Sequence, residues 1–186
     1  MAERKRPRRE KKPPARRARK KVPSEISKGS CIIAVRLRGE SGVSSEVKET
    51  LNMLRLPRKH NAVLIYRKPD ALGMIRKAKD YITWGEANKE ILRMLFQKRC
   101  RPQGTNELTA KYLKEKLQFS SIERFAEAIE RAEIPLGRLY EAGIPPVFRL
   151  HPPRGGFKRA LKRPYGDGGE LGDRGAEIVS LVSRMI

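Results

Sequence analysis

Large apolar residues are almost absent from positions 1 to 28 and then begin abruptly. Cys31 to Leu37 is an apolar run, the signature of a buried strand. Cys31, Ile33, Val35 and Leu37 fall on one face, and Ile32, Ala34, Arg36 and Arg38 on the other. Gly39 to Gly42 makes a turn. Ser44 is placed to cap a helix whose Val47, Leu51 and Leu54 share a face, and Pro57 ends it. Ala62 to Tyr66 is rich in strand formers. Asp70 is placed to cap a second helix with Leu72, Ile75 and Ala78 inward, and Tyr81 to Trp84 reads as a third strand. Strand, helix, strand, helix, strand at tight spacing predicts an α/β sandwich with helices packed on a small sheet.

Helical periodicity then takes over. Asn88 opens a helix with Ile91, Leu92 and Leu95 inward, and Thr109 to Leu117 forms a short one. Ser120 and Glu123 have capping-box spacing ahead of the stripe Ile122, Phe125, Ala126 and Ile129. Val147 to His151 is expected to be the last strand, with Phe148 and Leu150 on one face and Arg149 and His151 on the other. Asp173 is placed to cap a final helix carrying Ile178, Leu181, Val182 and Met185. No repeat of fixed period is present.

Charge changes this picture most. Forty-three Lys and Arg stand against 21 Asp and Glu in 186 residues, a net charge of +22. Such a field draws in polyanions. No window holds the ~20 apolar residues that span a bilayer, and the start has no signal-peptide pattern, so no membrane partner is expected. Residues 1 to 28 hold thirteen Lys or Arg and three Glu, with prolines at 7, 13, 14 and 23. Too little there can be buried to offset the ordering entropy, which predicts a tail disordered until it binds. The remainder is still basic, thirty cations against eighteen acids. Residues 105 to 133 are close to neutral, with six acids and five bases, and are not expected to form the main phosphate-binding face.

Candidate chemistry concentrates in His151 to Arg163. From Arg149 to Arg163 there are six basic residues and no acidic one. Pro152 and Pro153 hold the backbone extended, Gly155 and Gly156 let amides approach phosphate, and Arg154, Lys158, Arg159, Lys162 and Arg163 supply cations. The tail residues Arg4, Arg6, Arg8, Arg9, Arg16, Arg17, Arg19 and Lys20 are of the same kind, as are Arg58, Lys59 and His60 beside Pro57. Aromatic residues are sparse, so phosphate and shape contact with folded RNA is expected more than the stacking of unpaired bases. Trp84 is read as core.

Signals for catalysis fail. The run Gly166 to Gly172 has neither dinucleotide nor P-loop spacing. His60, His151, Cys31 and Cys100 are too scattered for zinc, and no metal or cofactor is expected. Cys31 reads as a buried thiol. Cys100, among Lys98, Arg99 and Arg101, sits where a thiol pKa can fall, but an incidental helix-end cysteine is the expected reading. Reduced thiols point to an intracellular protein.

VRLRGE (35–40), ETLNMLRL (49–56), YITWGE (81–86), FRLHPPRGG (148–156) and GGELG (168–172) occur in this order. Together they resemble the archaeal and eukaryotic branch of the L-thirty/L-seven family of large-subunit ribosomal proteins, from about residue 30 to the end. The resemblance implies an α+β fold: a small ferredoxin-like sheet with packed helices, a helical insert over about 88–135 and an added C-terminal strand, all within residues 29–186. It implies a structural constituent of cytoplasmic ribosomes that binds ribosomal RNA near the five-S RNA beside neighbouring ribosomal proteins, with no catalysis and no cofactor. The contacts it implies are Arg36, Arg38, His151, Arg154, Gly155 and Gly156. The Arg-rich tail departs from the family pattern; few Asn and Gln with abundant Arg and Pro favour a heat-adapted, archaeal source. The alternatives are a free assembly factor or RNA chaperone, and a nucleic-acid enzyme without a familiar motif.

Overall fold

The computed structural model describes residues 31–104 and 107–186. The tail expected over 1–28, with its candidate contacts Arg4 to Lys20, lies outside the described residues. The element order is β1 (Cys31–Arg36), α1 (Ser45–Met53), β2 (Asn61–Tyr66), α2 (Pro69–Lys77), β3 (Ile82–Glu86), α3 (Lys89–Lys98), α4 (Ala110–Leu117), α5 (Ile122–Glu130), α6 (Leu136–Glu141), β4 (Val147–Arg149), β5 (Ala160–Pro164), β6 (Gly169–Asp173) and α7 (Ile178–Met185). The mixed α and β architecture and the first three strands match the sequence expectation.

The six strands form one sheet in the order β4-β2-β1-β3-β6-β5. β1 pairs antiparallel with both β2 and β3. β4 pairs antiparallel with β2, whereas β6 runs parallel to β3 and β5 parallel to β6. All six residues of β1 are buried because both sheet faces are covered. Ile32 and Ala34 meet Leu51 and Leu54 beside α1 and Ile75 and Ala78 beside α2. Cys31, Ile33, Val35 and Leu37 meet the opposite layer of α3, α5 and α7, with Phe96, Phe125 and Phe148 packed edge to face. Trp84 is half-buried in the first of these cores, as expected.

Several local expectations are corrected. Val147 to His151 is not the last strand: β5 and β6 follow it and occupy the far edge of the sheet. Neither strand shows strand periodicity. β5 reads ALKRP, with two cations and a proline, and β6 reads GELGD, with two glycines and two acids. Polar contacts hold them instead. Glu170, 2% exposed, pairs with the Arg174 guanidinium and accepts from the Arg159 amide at 2.9 Å. Thr83 of β3 donates to the Gly172 carbonyl at 3.0 Å and accepts from Arg174 Nε at 2.9 Å. Burial, and then the like charges of Arg159 and Arg184, pull the Arg174 guanidinium down to about 10.

The capping assignments shift too. Ser44 occupies the N-cap of α1, but its side chain accepts no hydrogen bond there. Lys68, not Asp70, is the N-cap of α2, because Pro69 takes the first helical position. Ser121 caps α5 and accepts from the Arg124 amide, while Glu123 pairs with Arg93 at 3.0 Å, so no capping box forms. Asp173 accepts from the Gly175 amide, and a 3-10 turn at Gly175–Glu177 separates it from α7. The helix α6, between Pro135 and Gly143, lies beyond the helical insert expected over 88–135.

Gly85, the glycine of YITWGE, marks where α7 docks on β3. A Cβ there would sit 2.1 Å from the Gly175 carbonyl oxygen and 2.7 Å from Ile178 side-chain atoms. Gly85→Ala is therefore expected to lower stability by about 1–3 kcal/mol through overpacking. At a protein of this size each kcal/mol lowers the melting temperature by about 2–4 °C. Gly73 of α2 has open space where its Cβ would stand. Gly73→Ala should be neutral or raise stability by up to ~1 kcal/mol through helix propensity. Thermal melts of the two variants check the opposite signs.

Candidate nucleic-acid interface

The strand directions gather the basic residues. β2 and β3 oppose β1, and β4 opposes β2, so the end of β1 lies beside the starts of β2 and β3 and the end of β4. The starts of β6 and β5 fall at that same end. Arg38, Arg58, Lys59, His60, Arg149, His151 and Lys158 flank these strand ends in the chain. Segments far apart in sequence thus supply one basic end of the sheet.

The Pro-Gly segment crosses this end as an anchored turn. The His151 amide donates to the Met185 carbonyl and the Arg154 amide to the Arg184 carbonyl, both at 2.9 Å. The Gly156 amide donates back to Pro153 at 2.9 Å, closing a turn whose third residue, Gly155, has φ of +76°. Gly156 is also left-handed, at +72°. Such values suit glycine and strain other residues. Arg184 donates to the Gly156 carbonyl at 3.1 Å, and Pro153 is buried. The backbone is held while Arg154, Gly155 and Gly156 remain exposed.

His60 is half-buried at φ +65° and stacks near Phe157, with centroids 6.4 Å apart. Burial, and secondarily Lys59, hold its pKa below the ordinary histidine value. Arg58 and Lys59 are exposed beside it. Arg38 is half-buried, with its guanidinium over the Tyr81 ring at 4.8 Å and donating to the Asp80 carbonyl at 2.9 Å.

Arg36 is a correction. Only 1% of it is exposed. Its guanidinium donates to the carbonyls of Leu56, Pro57, Arg38 and Gly39 at 2.8, 2.5, 2.9 and 3.1 Å. It pins the loop after α1 to the end of β1 and offers no free fork to a phosphate. The basic run 151–163 also divides. Arg154 belongs to the anchored turn, whereas Lys162 and Arg163 lie exposed on β5, at the opposite sheet edge from Arg149. Arg159 is tied locally, its guanidinium 4.5 Å from the Tyr165 ring centre.

A groove of about 1040 Å³ opens beside β4. Arg55, Lys98, Arg99, Arg101, Arg149 and His151 line it, and no acidic residue does. Arg99 donates to His151 Nε2 at 3.0 Å and also to the main-chain oxygen of Ile186. Arg55, in a left-handed conformation at φ +58°, lies over the Tyr140 ring at 4.0 Å. Apart from His151, these side chains are absent from the candidates read in sequence. The cluster around Cys100 and the outward Arg149 were visible there, but their convergence depends on α3 ending beside β4. Cys100 itself is buried, and desolvation pushes its thiol up to about 12, so the cationic neighbours do not activate it. Burial, with a smaller contribution from Glu130, also raises Cys31 to about 12.

Among the described residues no group of three or more His, Cys, Asp or Glu is placed to hold a metal ion, and no helix is long and apolar enough to cross a membrane. A sheet covered on both faces, with basic residues gathered at one end and an acid-free groove beside it, defines a mixed α/β protein with one strongly cationic surface. Residues 32–82 match the family model described as Ribosomal protein L30p/L7e. The chain is 44% identical over 155 residues to the Large ribosomal subunit protein uL30 of Ignicoccus hospitalis, covering 83% of this chain and 96% of that relative. The protein of the same description from Staphylothermus marinus is 46% identical over 157 residues, 82% and 96% of the two chains. That from Methanopyrus kandleri is 42% identical over 151 residues, 81% and 100%. The chain belongs to this family of large-subunit ribosomal proteins, which are structural and not enzymatic.

Proposed function

We propose that this chain stabilises folded ribosomal RNA of the large subunit, near the five-S RNA, by laying the basic end of its sheet against phosphates. The observation that carries the reading is the join between the anchored Pro-Gly turn and the acid-free groove, which share His151. Internal hydrogen bonds of the His151, Arg154 and Gly156 amides already fix the backbone of the turn, so little backbone freedom is lost when the exposed Arg154 docks. Arg suits such a surface because its planar fork donates two bonds to one phosphate. The tail's thirteen cations add attraction that does not depend on sequence. The placement near the five-S RNA rests on the family resemblance.

The turn should act by geometry as well as charge. Arg154→Lys keeps the charge and loses the fork. Gly155→Val keeps every charge but forces a side chain into a backbone state with φ of +76°, although open space surrounds the position. Both variants should incorporate into large subunits less well than Lys158→Ala or Lys162→Ala in competition with the parent. The loss corresponds to about 1.5–3 kcal/mol for a charge-assisted bond. Melting curves separate misfolding from weak docking. If the two lysine variants fail while Arg154→Lys and Gly155→Val compete like the parent, the turn is only a cation cluster.

A further inference from the structure

The groove beside β4 is more than a patch of positive charge. Its walls include Pro57, Pro145, Val147 and the buried Leu150, and its cations sit among these apolar surfaces. A duplex backbone needs cations and has little use for an apolar recess. At about 1040 Å³ the space is at the upper end for sites that enclose a small organic ligand.

Two features suit a planar base. Arg55 is exposed, lines the groove and lies over Tyr140, whose ring backs its guanidinium plane. Arginine planes are among the surfaces on which unstacked bases settle. Asn52 and Asn61 line the same groove, and a carboxamide presents a donor and an acceptor side by side, the pattern that pairs with a base edge. Arg101 and Arg149 line the groove and are exposed, which suits them to flanking phosphates.

We infer that this groove receives one unpaired nucleotide turned out of a ribosomal RNA helix. The base stacks on Arg55 with Tyr140 as its backing, Asn52 and Asn61 meet its edge, and Arg101 and Arg149 hold its phosphates. Tyr140 is a positioning residue, contributed by α6. The inference deepens the proposed RNA binding and rests on it, and it differs from the expectation that phosphate and shape contacts outweigh the stacking of unpaired bases.

The test uses the full chain and two RNA hairpins, identical except that one carries a single bulged 2-aminopurine. Affinity is measured at one salt concentration together with the fluorescence of the 2-aminopurine. The bulged hairpin should bind at least about five-fold tighter, the scale of one stacked base, with a change in fluorescence. Tyr140→Leu and Arg55→Lys should erase that preference while melting like the parent, and Tyr140→Phe, which keeps the ring, should preserve it. Equal, salt-sensitive binding of both hairpins would overturn the nucleotide pocket and leave the RNA-binding reading standing. A preference that survives Tyr140→Leu and Arg55→Lys would also overturn it. Failure of both hairpins and of large-subunit RNA fragments to bind would overturn both readings.

Discussion

Replacing Arg36 by Met is expected to cost about 3–5 kcal/mol of folding stability. Arg36 is 1% exposed, and its guanidinium donates to four main-chain carbonyls, two in the turn after β1 and two in the loop after α1. Methionine fills much of the same volume but donates nothing. Leu56 is buried, so its carbonyl would lose a partner that water cannot readily replace. Burial pulls the Arg36 pKa down, with Glu40 and then Tyr81 acting in the opposite sense. The charge is thus held inside by hydrogen bonds and not by a contacting carboxylate. Arg36→Lys retains a cation but lacks the planar fork and should recover only part of the loss. Arg58→Ala, an exposed change two residues beyond the Leu56 carbonyl, should stay within ~0.5 kcal/mol. Urea unfolding of the three variants gives the comparison. A loss below 1 kcal/mol for Arg36→Met, with RNA binding abolished, would return Arg36 to the RNA surface and refute its assignment as an internal clip.

Binding to RNA is expected to fall ~1,000- to 100,000-fold between about 50 and 200 mM salt if six to ten phosphates are neutralised. Residues 31–186 alone carry many more cations than acids, and the groove lining contains none of the acids. Several acids are paired elsewhere: Glu123 with Arg93, Glu127 with Lys89 and Arg131, and Glu170 with Arg174. A filter-binding salt titration against five-S RNA and large-subunit RNA fragments reads the slope. Removing residues 1–28 takes away thirteen cations and should make that slope shallower without flattening it, because the basic end of the sheet remains. A slope near zero for the full chain would mean that burial or stacking dominates. Equal affinity for unrelated RNA of the same length would count against placement by the five-S RNA.

Sequence patterning went far in the first half of the chain because the physics there is local and repetitive. Apolar periodicity over Cys31–Leu37, Val47–Leu54, Ala62–Tyr66 and Leu72–Ala78 located β1, α1, β2 and α2, and the ordered motifs pointed to the family. The basic character of His151–Arg163 was equally plain, since charge needs no neighbour to be read. β5 and β6 escaped because their support is a set of pairwise polar contacts, Glu170 with Arg174 and Thr83 with Gly172, that leave no apolar alternation in the strands themselves. The same limit governs the site. The residue types in VRLRGE cannot distinguish an arginine that meets RNA from one that closes a loop. Packing sent Arg36 inward to four carbonyls and left Arg38 on Tyr81 at the surface. Arg55, Arg99 and Arg149 become one groove only when α1, α3 and β4 pack together, and Tyr140 reaches Arg55 only because α6 folds beside them. Composition determined that the surface would be strongly cationic; the meeting of distant strand and helix ends decided where its cations gather.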